Sequence, residues 1–371
     1  MKKLIFLLFF TFSISIVLAQ DFYLNGNGVT CMCPDASVGD TGVVNGITYT
    51  KRTRAQITEA NASTTCTSGI ISMSYIFENA TSFNQDISSW DVSNVTDMSY
   101  IFDYATSFNQ DISSWDVSNV NDMSGMFLYA TAFNQPIGNW DVSSVTFMGG
   151  VFAHCNNFNL DISSWDVSSV TFTEGMFFDA QDFNQPIGNW NVSNVTSMDG
   201  MFDDTFNFNQ DLSNWQFNTN VSLNGFINDS GLDVNNYDAL LAAFSNQNLA
   251  GRQLDAENLK YCNTAVRDDL INNGWTITGD SYLQPNITAP NDVNIDPDPS
   301  TCVAENVDLG TPTVTGGCGV TTISNNAPND YPIGVTQVVW TLVDGSGIES
   351  TDTQTVTVTL QVDVADVCYV S

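Results

Sequence analysis

A row of acidic side chains is the feature of this sequence that could do metal chemistry. Between a tryptophan and a valine, an aspartate or asparagine recurs every 25 residues, at Asp91, Asp116, Asp141, Asp166 and Asn191. If the segments that carry them stack side by side, their oxygens line up about 5 Å apart. Ca²⁺ takes several such ligands, so the four aspartates form a candidate calcium site. The alternative is that each one accepts hydrogen bonds from nearby turn N–H groups and stays solvated.

No set of residues typical of a catalytic site accompanies this row. His154 is the only histidine, so a Ser-His-Asp triad would depend on that one residue, and the sequence has no Gly-x-Ser-x-Gly turn. The carboxylates are regular members of repeats, without the isolated apolar setting that raises a pKa for acid catalysis. The sequence also contains no phosphate-binding loop or dinucleotide fingerprint. We therefore expect a protein that is not an enzyme and needs no cofactor other than calcium.

The charge of the chain argues against several classes of partner. Its formal net charge is −33, and no Lys or Arg occurs from Ala55 to Gly251. Nucleic-acid binding requires cations that replace phosphate counterions, and anionic membrane surfaces attract proteins in the same way. The sequence therefore predicts partners that are neither nucleic acids nor anionic membranes.

The N-terminus predicts export. Lys2 and Lys3 precede an apolar run, and Val17-Leu18-Ala19 offers small-residue cleavage. We interpret residues 1–19 as a signal peptide and expect a secreted or outer-cell-surface protein. No second stretch is long and apolar enough to span a bilayer, so we expect no integral membrane segment after cleavage.

The eight cysteines of an exported chain are disulfide candidates. Cys33 and Cys66 bracket the N-terminal segment and form a candidate pair. Cys155 stands at a position that holds alanine in the other repeats, so we interpret it as a core residue and not as a reactive thiol. Three further cysteines have no obvious local partner: Cys31, Cys262 and Cys368.

Internal repeats dominate the middle of the chain. Tryptophan recurs every 25 residues, at Trp90, Trp115, Trp140, Trp165, Trp190 and Trp215. A Phe-Asn pair keeps the same step, beginning at Phe83, Phe108, Phe133, Phe158, Phe183 and Phe208. Because such units must stack to bury their apolar side chains, we predict that both aromatic rows form the core. The asparagines are expected to satisfy backbone groups in the loops.

The apolar spacing within one repeat predicts two elements. Ile87-x-x-Trp90-x-Val92 has the spacing of a leucine-rich repeat, whose last part is a short strand. Met98, Ile101, Phe102 and Ala105 then follow the spacing of one helix face. We therefore predict an α/β leucine-rich-repeat-like solenoid of short strands and short helices over residues 71–226. Residues 20–70 are expected to form an N-terminal cap, and residues 227–284 a C-terminal cap.

The run from Phe83 to Met98, with Phe83-Asn84 and Trp90-Asp91-Val92, resembles the BspA-like leucine-rich-repeat surface proteins of bacteria. That group includes a repeat type first catalogued in mycoplasmas as a domain of unknown function. The resemblance implies a secreted or surface-displayed adhesion protein, and it supplies no ligand residues. From the residues alone, Ser89, Asp91 and Ser93 and their equivalents are the candidate binding face.

The last part of the chain predicts a different domain. Short Val- and Thr-rich runs between Pro, Asp and Asn are typical of an antiparallel sandwich. Residues 285–361 resemble a hyalin-repeat (HYR) domain, an immunoglobulin-like module, on the following segments: Thr288-Ala289-Pro290, Cys302, Cys318-Gly319, Tyr331–Gly334, Val339–Thr341 and Asp344–Gly347. The resemblance implies an all-β sandwich and a Cys302–Cys318 bridge. For the tail, residues 362–371, Cys368 indicates either an intermolecular bond or a truncated reading frame.

Two functions are consistent with these features. The first is a non-enzymatic adhesion or interaction protein that binds a protein partner through its repeats. The second is a calcium-assisted glycan-binding protein or surface-layer scaffold. In either case the partner is expected to lie on another cell or in an extracellular matrix.

Overall fold

The computed structural model describes residues 21–319 and 321–360 of the 371-residue chain. The predicted signal peptide at residues 1–19 and the predicted tail at residues 362–371, with Cys368, lie outside the described residues. Within the described part, no helix is long and apolar enough to cross a bilayer.

The N-terminal segment is a small, disulfide-linked unit that covers the first repeat. Its strands are β1 (Tyr23–Leu24), β2 (Cys31–Met32), β3 (Thr41–Val44), β4 (Ile47–Lys51) and β5 (Thr65–Cys66), with 3-10 helices at Arg54–Gln56 and Glu59–Thr64. Strands β3, β4 and β5 form one sheet, and β1 pairs with β2. The Ala62 carbonyl accepts a 2.9 Å hydrogen bond from the indole Nε1 of Trp90, which joins this unit to the first tryptophan of the repeats.

The repeats stack in register as a row of 25-residue coils. Each coil meets the next through a one-residue parallel bridge, and these bridges form the bridge row: Ser72, Asp97, Asp122, Phe147, Phe172, Ser197 and Ser222. Between Cys66 and Val234 the described residues form neither an α-helix nor a strand longer than these bridges. The predicted strand at Trp90-Asp91-Val92 is therefore wrong, because the contact between coils lies at Asp97 instead.

The predicted helix over Met98–Ala105 is also wrong, for a reason visible in the hydrogen bonds. In an α-helix the Phe102 N–H would bond to the carbonyl four residues earlier, but here it donates to Met126 in the next coil, at 3.1 Å. Every second N–H from Met98 to Tyr104 is donated across in this way, while the N–H groups between them close tight turns within the coil. Successive turns thus bury residues at the same spacing as one face of a helix.

Aromatic rows fill the interior, as the repeat spacing predicts. The rings of the Trp and Phe-Asn rows are buried, and each indole Nε1 donates to a carbonyl of the preceding coil, as in Trp140 to Ile112 at 3.2 Å. The predicted backbone role of the asparagines is confirmed, because the Asn109 and Asn134 N–H groups each donate to the asparagine oxygen one coil earlier at 3.0 Å. Cys155 is fully buried as predicted, and this burial raises the pKa of its thiol.

The distance between equivalent rings differs between the interior and the side of the coils that carries the bridge row. Equivalent tryptophan rings lie 6.1 to 6.5 Å apart, and rings in the Phe102 row lie 5.6 to 5.8 Å apart. On the bridge side, the Tyr104 and Tyr129 rings are 4.2 Å apart and the Tyr75 and Tyr100 rings 5.0 Å apart. We call the surface formed by residues 97–104 and their equivalents in the other coils the bridge face.

The segment after the repeats extends their core. It contains α1 (Val234–Asn246), β6 (Gln253–Asp255), β7 (Lys260–Tyr261), α2 (Thr264–Asn272), β8 (Thr276–Thr278) and β9 (Ser281–Tyr282). Strand β6 is parallel to β8, and β7 is parallel to β9. The buried side chains of this segment belong to the same hydrophobic cluster as the repeats, so the last coil is covered by a continuous core.

The C-terminal unit is built from strands with a separate core. Its strands are β10 (Asn286–Thr288), β11 (Val293–Ile295), β12 (Val303–Glu305), β13 (Thr313–Thr315), β14 (Thr322–Asn325), β15 (Asp330–Pro332), β16 (Gly334–Val343) and β17 (Glu349–Val358). The largest sheet has the order β11-β17-β16-β14, and two further pairs are β10-β13 and β12-β15. The core cluster of this unit includes Trp340, Val338 and Tyr331.

The disulfides differ from the prediction at one bond. Cys33 is bonded to Cys66, the pair that brackets the N-terminal segment. Cys318 is bonded to Cys262, so the predicted Cys302–Cys318 bridge is wrong. The reason is spatial: Cys262 follows β7, and the Cys318 loop packs against this part of the preceding segment. Cys302 also takes part in a disulfide.

We predict that Trp140→Ala lowers the free energy of unfolding by about 3–5 kcal/mol, because it empties a large buried volume. The same change also leaves the Ile112 carbonyl without its indole donor. Urea denaturation followed by circular dichroism measures the loss. The control is Asp141→Asn, next to it in sequence but exposed, which should change stability by less than about 0.5 kcal/mol. Equal losses in the two variants would contradict the core role of the indole.

Candidate interaction surface

The row proposed from the sequence as a binding or metal site consists of residues tied into local turns. We call it the turn row: Asp91, Asp116, Asp141, Asp166 and Asn191. In Asp116 and Asp141, one carboxylate oxygen accepts from both the N–H and the hydroxyl of the serine two residues later. These bonds hold the pKa of Asp141 below its usual range. The row therefore fits the alternative interpretation, in which each side chain accepts hydrogen bonds within its own turn.

The first member of the turn row is covered by the N-terminal unit. Asp91 is 3 % exposed and accepts hydrogen bonds from Ser68 and Ser93. The Ser89 carbonyl accepts from the N–H of Cys31 at 2.8 Å. The start of the predicted binding face, at Ser89, Asp91 and Ser93, is thus an internal contact and not a free surface.

The turn row does not fit a calcium ion. It supplies one carboxylate per coil, and those oxygens already serve the serines of their own turns. No group of three or more His, Cys, Asp and Glu side chains converges anywhere in residues 21–319 and 321–360. Ca²⁺ needs six to eight oxygens around one point, so Asp91, Asp116, Asp141 and Asp166 do not form the site expected from the sequence.

The bridge face instead gathers aromatic side chains that are exposed or half-buried. Three of them, Tyr104, Tyr129 and His154, form a continuous stack, with centroid distances of 4.2 and 4.0 Å between neighbours. We call them the ring stack. Tyr104 is 40 % exposed. A second pair, Tyr75 and Tyr100, stacks at 5.0 Å on the same face.

The backbone explains why these rings point outward. Tyr100 and Tyr104 both have a positive φ, and so do the residues at equivalent positions in the other coils. This conformation costs an ordinary residue about 1 kcal/mol or more, and the bonds donated to the next coil hold it in place. The recurrence of glycine every 25 residues, at Gly125, Gly150, Gly175, Gly200 and Gly225, is the sequence signal that marks this position.

His154 has a carboxylate partner that the sequence did not reveal. Its Nδ1 lies 2.8 Å from an oxygen of Asp179, one coil further on. Its ring also contacts Phe178 edge-on, at 4.9 Å. The pair fixes the orientation of the imidazole, so His154 closes the ring stack. Through Asp179 it also joins the ring stack to a row of aspartates at the equivalent position of successive coils: Asp179, Asp204 and Asp229.

Asp103 is the most perturbed carboxylate of the bridge face. It is 9 % exposed, and among the described residues its Oδ1 has no hydrogen-bond partner. Burial, assisted by the charge of Glu78, raises its pKa to about 6. The ionised group therefore destabilises the fold at neutral pH, and it lies next to the stacked tyrosines in sequence.

Comparison with known proteins gives a family match for the repeats. A family model described as Mycoplasma protein of unknown function, DUF285, matches residues 48–155 and again residues 135–238. The two matches together cover residues 48–238, just over half of the chain. No curated protein and no solved structure matches the chain.

We predict that Asp103→Asn raises the melting temperature at pH 7.5 by a few degrees, because it removes an ionised group from a buried position. The folded pKa is raised, so the wild-type protein takes up a proton as the pH falls through about 6. The advantage of the variant should therefore shrink between pH 6 and pH 4.

The matched control for this titration is Asp111→Asn. Bonds from Ser113 hold the pKa of Asp111 below its usual range, so its charge stabilises the fold. The melting temperature of this variant should be slightly below that of wild type at pH 7.5, and the difference should shrink as the pH falls. Differential scanning calorimetry from pH 4 to 8 measures both series. A gain for Asp103→Asn that persists at pH 4 would show that its charge is not the cause.

Proposed function

The chain belongs to the family described as Mycoplasma protein of unknown function, DUF285, and we propose that it is a non-enzymatic interaction protein. In this proposal it is secreted or displayed on the cell surface, and it binds a protein partner through the bridge face of its repeats. The two disulfides between described cysteines are consistent with an extracellular protein.

The ring stack is the observation that supports this function. Tyr104, Tyr129 and His154 are held by a hydrogen-bonded backbone, and their faces are fixed by stacking on one another. Rigid aromatic side chains lose little conformational entropy when they bind, and tyrosine is enriched at the energetic centres of protein interfaces. Stacked-repeat proteins bind their partners through extended surfaces lined by repeated side chains.

The charge of the chain favours a basic partner. Lys and Arg are absent from Ala55 to Gly251, and Asp179, Asp204 and Asp229 continue the line of the ring stack. Burial, followed by the charges of Asp229 and Asp179, raises the pKa of Asp204. Complementary charge accelerates association and selects partners. We therefore favour a protein with an exposed patch of Lys or Arg.

We propose a finer family assignment on the same basis. The coils would be a BspA-like leucine-rich-repeat solenoid, supported by the motif from Phe83 to Met98 and by the register of the bridge row. The C-terminal unit would be an HYR-type immunoglobulin-like module. It is supported by the sheet β11-β17-β16-β14 and the buried Trp340. In this arrangement the β unit acts as a spacer and the coils carry the contact.

We predict that the double variant Tyr104→Asn and Tyr129→Asn loses at least about tenfold in affinity for a protein partner. Asparagine is already present at the equivalent position of the first coil, as Asn79, and tolerates the positive φ. The variant should therefore fold while it loses both rings. Surface plasmon resonance against a panel of purified extracellular matrix proteins, run beside a glycan array, measures the effect.

The control is the double variant Asp116→Asn and Asp141→Asn in the turn row, where Asn191 is the equivalent natural residue. It should bind within about twofold of wild type, since those side chains serve local turns. Loss of binding in this control, with full binding by the tyrosine variant, would place the contact on the turn row. Hits on the glycan array alone would favour a glycan-binding function.

A further inference from the structure

A groove on the bridge face lies over Gly150, between two aromatic rings. The ring of Tyr100 lies over Gly125, where an added Cβ would come within 2.4 Å of it. The ring of Phe172 lies over Gly149 in the same way, at 2.8 Å. Over Gly150 the nearest atom to an added Cβ is the Gly125 Cα, at 4.0 Å. The two rings therefore stand on either side of an open floor, with Ser124 and Glu174 also lining the groove.

The sequence creates this groove by changing residue type along one row. The positive-φ position carries tyrosine in the first two full coils, at Tyr75 and Tyr100, and glycine from Gly125 onward. Both types fit the backbone, so the change is not required by the fold. Gly149, one residue earlier in its coil, has no side chain either, and the ring of Phe172 occupies that space. The floor over Gly150 is thus open, while the wall rings remain.

The groove carries negative charge and an aromatic face. Glu174 is exposed at the Phe172 side. At the other side, the Asp103 N–H donates to the Tyr100 carbonyl at 3.3 Å, so this carboxylate belongs to the same turn as the ring. Burial, then the charges of Tyr75, Asp103 and Asp122, raise the pKa of Tyr100. No Lys or Arg occurs from Ala55 to Gly251 to neutralise them. A cation is attracted both by carboxylates and by the face of an aromatic ring.

We propose that this groove receives the guanidinium or ammonium group of an arginine or lysine side chain of the partner protein. The inference rests on the proposed function, and it names the residue type that the bridge face selects. The cation lies over Gly150, its charge faces Glu174, and its flat or alkyl surface contacts Tyr100 and Phe172. Because the floor is glycine, the side chain can approach the backbone closely.

The test uses a fluorescein-labelled hexa-arginine peptide and the full chain in 150 mM salt, followed by fluorescence anisotropy. Tyr100→Gly removes one wall of the groove with the residue that the array itself places at this position from Gly125 onward. Tyr75→Gly makes the same change at the equivalent position one coil earlier, where φ is also near +60° and the side chain does not line the groove. The two variants have identical composition and net charge, so a difference in their affinity for the peptide is caused by the groove and not by the net charge of the protein.

We expect Tyr100→Gly to weaken peptide binding at least about fivefold, in line with the loss of a cation–π contact, and Tyr75→Gly to stay within about twofold of wild type. Equal binding by the two variants would overturn the proposal, as would failure of the wild-type protein to bind the peptide. In either case the proposed function would still be tested separately by the matrix-protein panel. Displacement of the peptide by uncharged chitohexaose, with no effect of free arginine, would assign the groove to a glycan and also overturn the proposal.

A second pair of variants covers the case in which Tyr100→Gly does not fold. Glu174→Gln removes the carboxylate of the groove, and Asp199→Asn removes one at the equivalent position of the next coil. We expect a clear loss of peptide affinity, at least about threefold, in the first variant only. Equal losses in both would mean that general charge attracts the peptide, and this result would also overturn the assignment to the groove.

Discussion

The structure depends on amide groups donated from one coil to the next. Along residues 98–104, every second N–H leaves its own coil and bonds to a carbonyl 24 residues later. Buried backbone groups must be paired, and these bonds pair them without a helix or an extended strand. They also force two residues per coil into a positive φ. Since Tyr100 and Tyr104 occupy those positions, the same bonds that build the stack turn its aromatic side chains toward solvent.

The distances between equivalent rings differ between the core of the stack and its surface. Tryptophan rings lie 6.1 to 6.5 Å apart in the interior, whereas the bridge face has direct hydrogen bonds between coils and rings as close as 4.2 Å. Neighbouring aromatic side chains therefore come close together on the bridge face. Stacked rings and crowded carboxylates follow from this short spacing, on the face that we propose for binding.

The sequence predicts the features that depend on repetition. It does not predict the features that depend on local backbone conformation or on tertiary packing. The 25-residue spacing of Trp140 and its equivalents identifies the core, and it also identifies Cys155 as a buried residue. The helix at Met98–Ala105 is wrong because successive turns bury the same positions as a helix face. Asp91 was expected at the surface because an alternating pattern does not reveal that the N-terminal unit covers it. The Cys262–Cys318 bond joins two segments whose contact depends on tertiary packing, which a resemblance to one domain cannot supply.

The bond between Cys262 and Cys318 has a mechanical consequence. It connects the segment that covers the last coil directly to the β unit, and the hydroxyl of Tyr282 also donates to Asp344 across the same junction, at 2.7 Å. Residues 263–317, including α2 and strand β10, lie inside the loop closed by this bond. A force that pulls the β unit away from the coils therefore meets a covalent link at Cys262, and this contact persists even when the noncovalent contacts of the junction are lost.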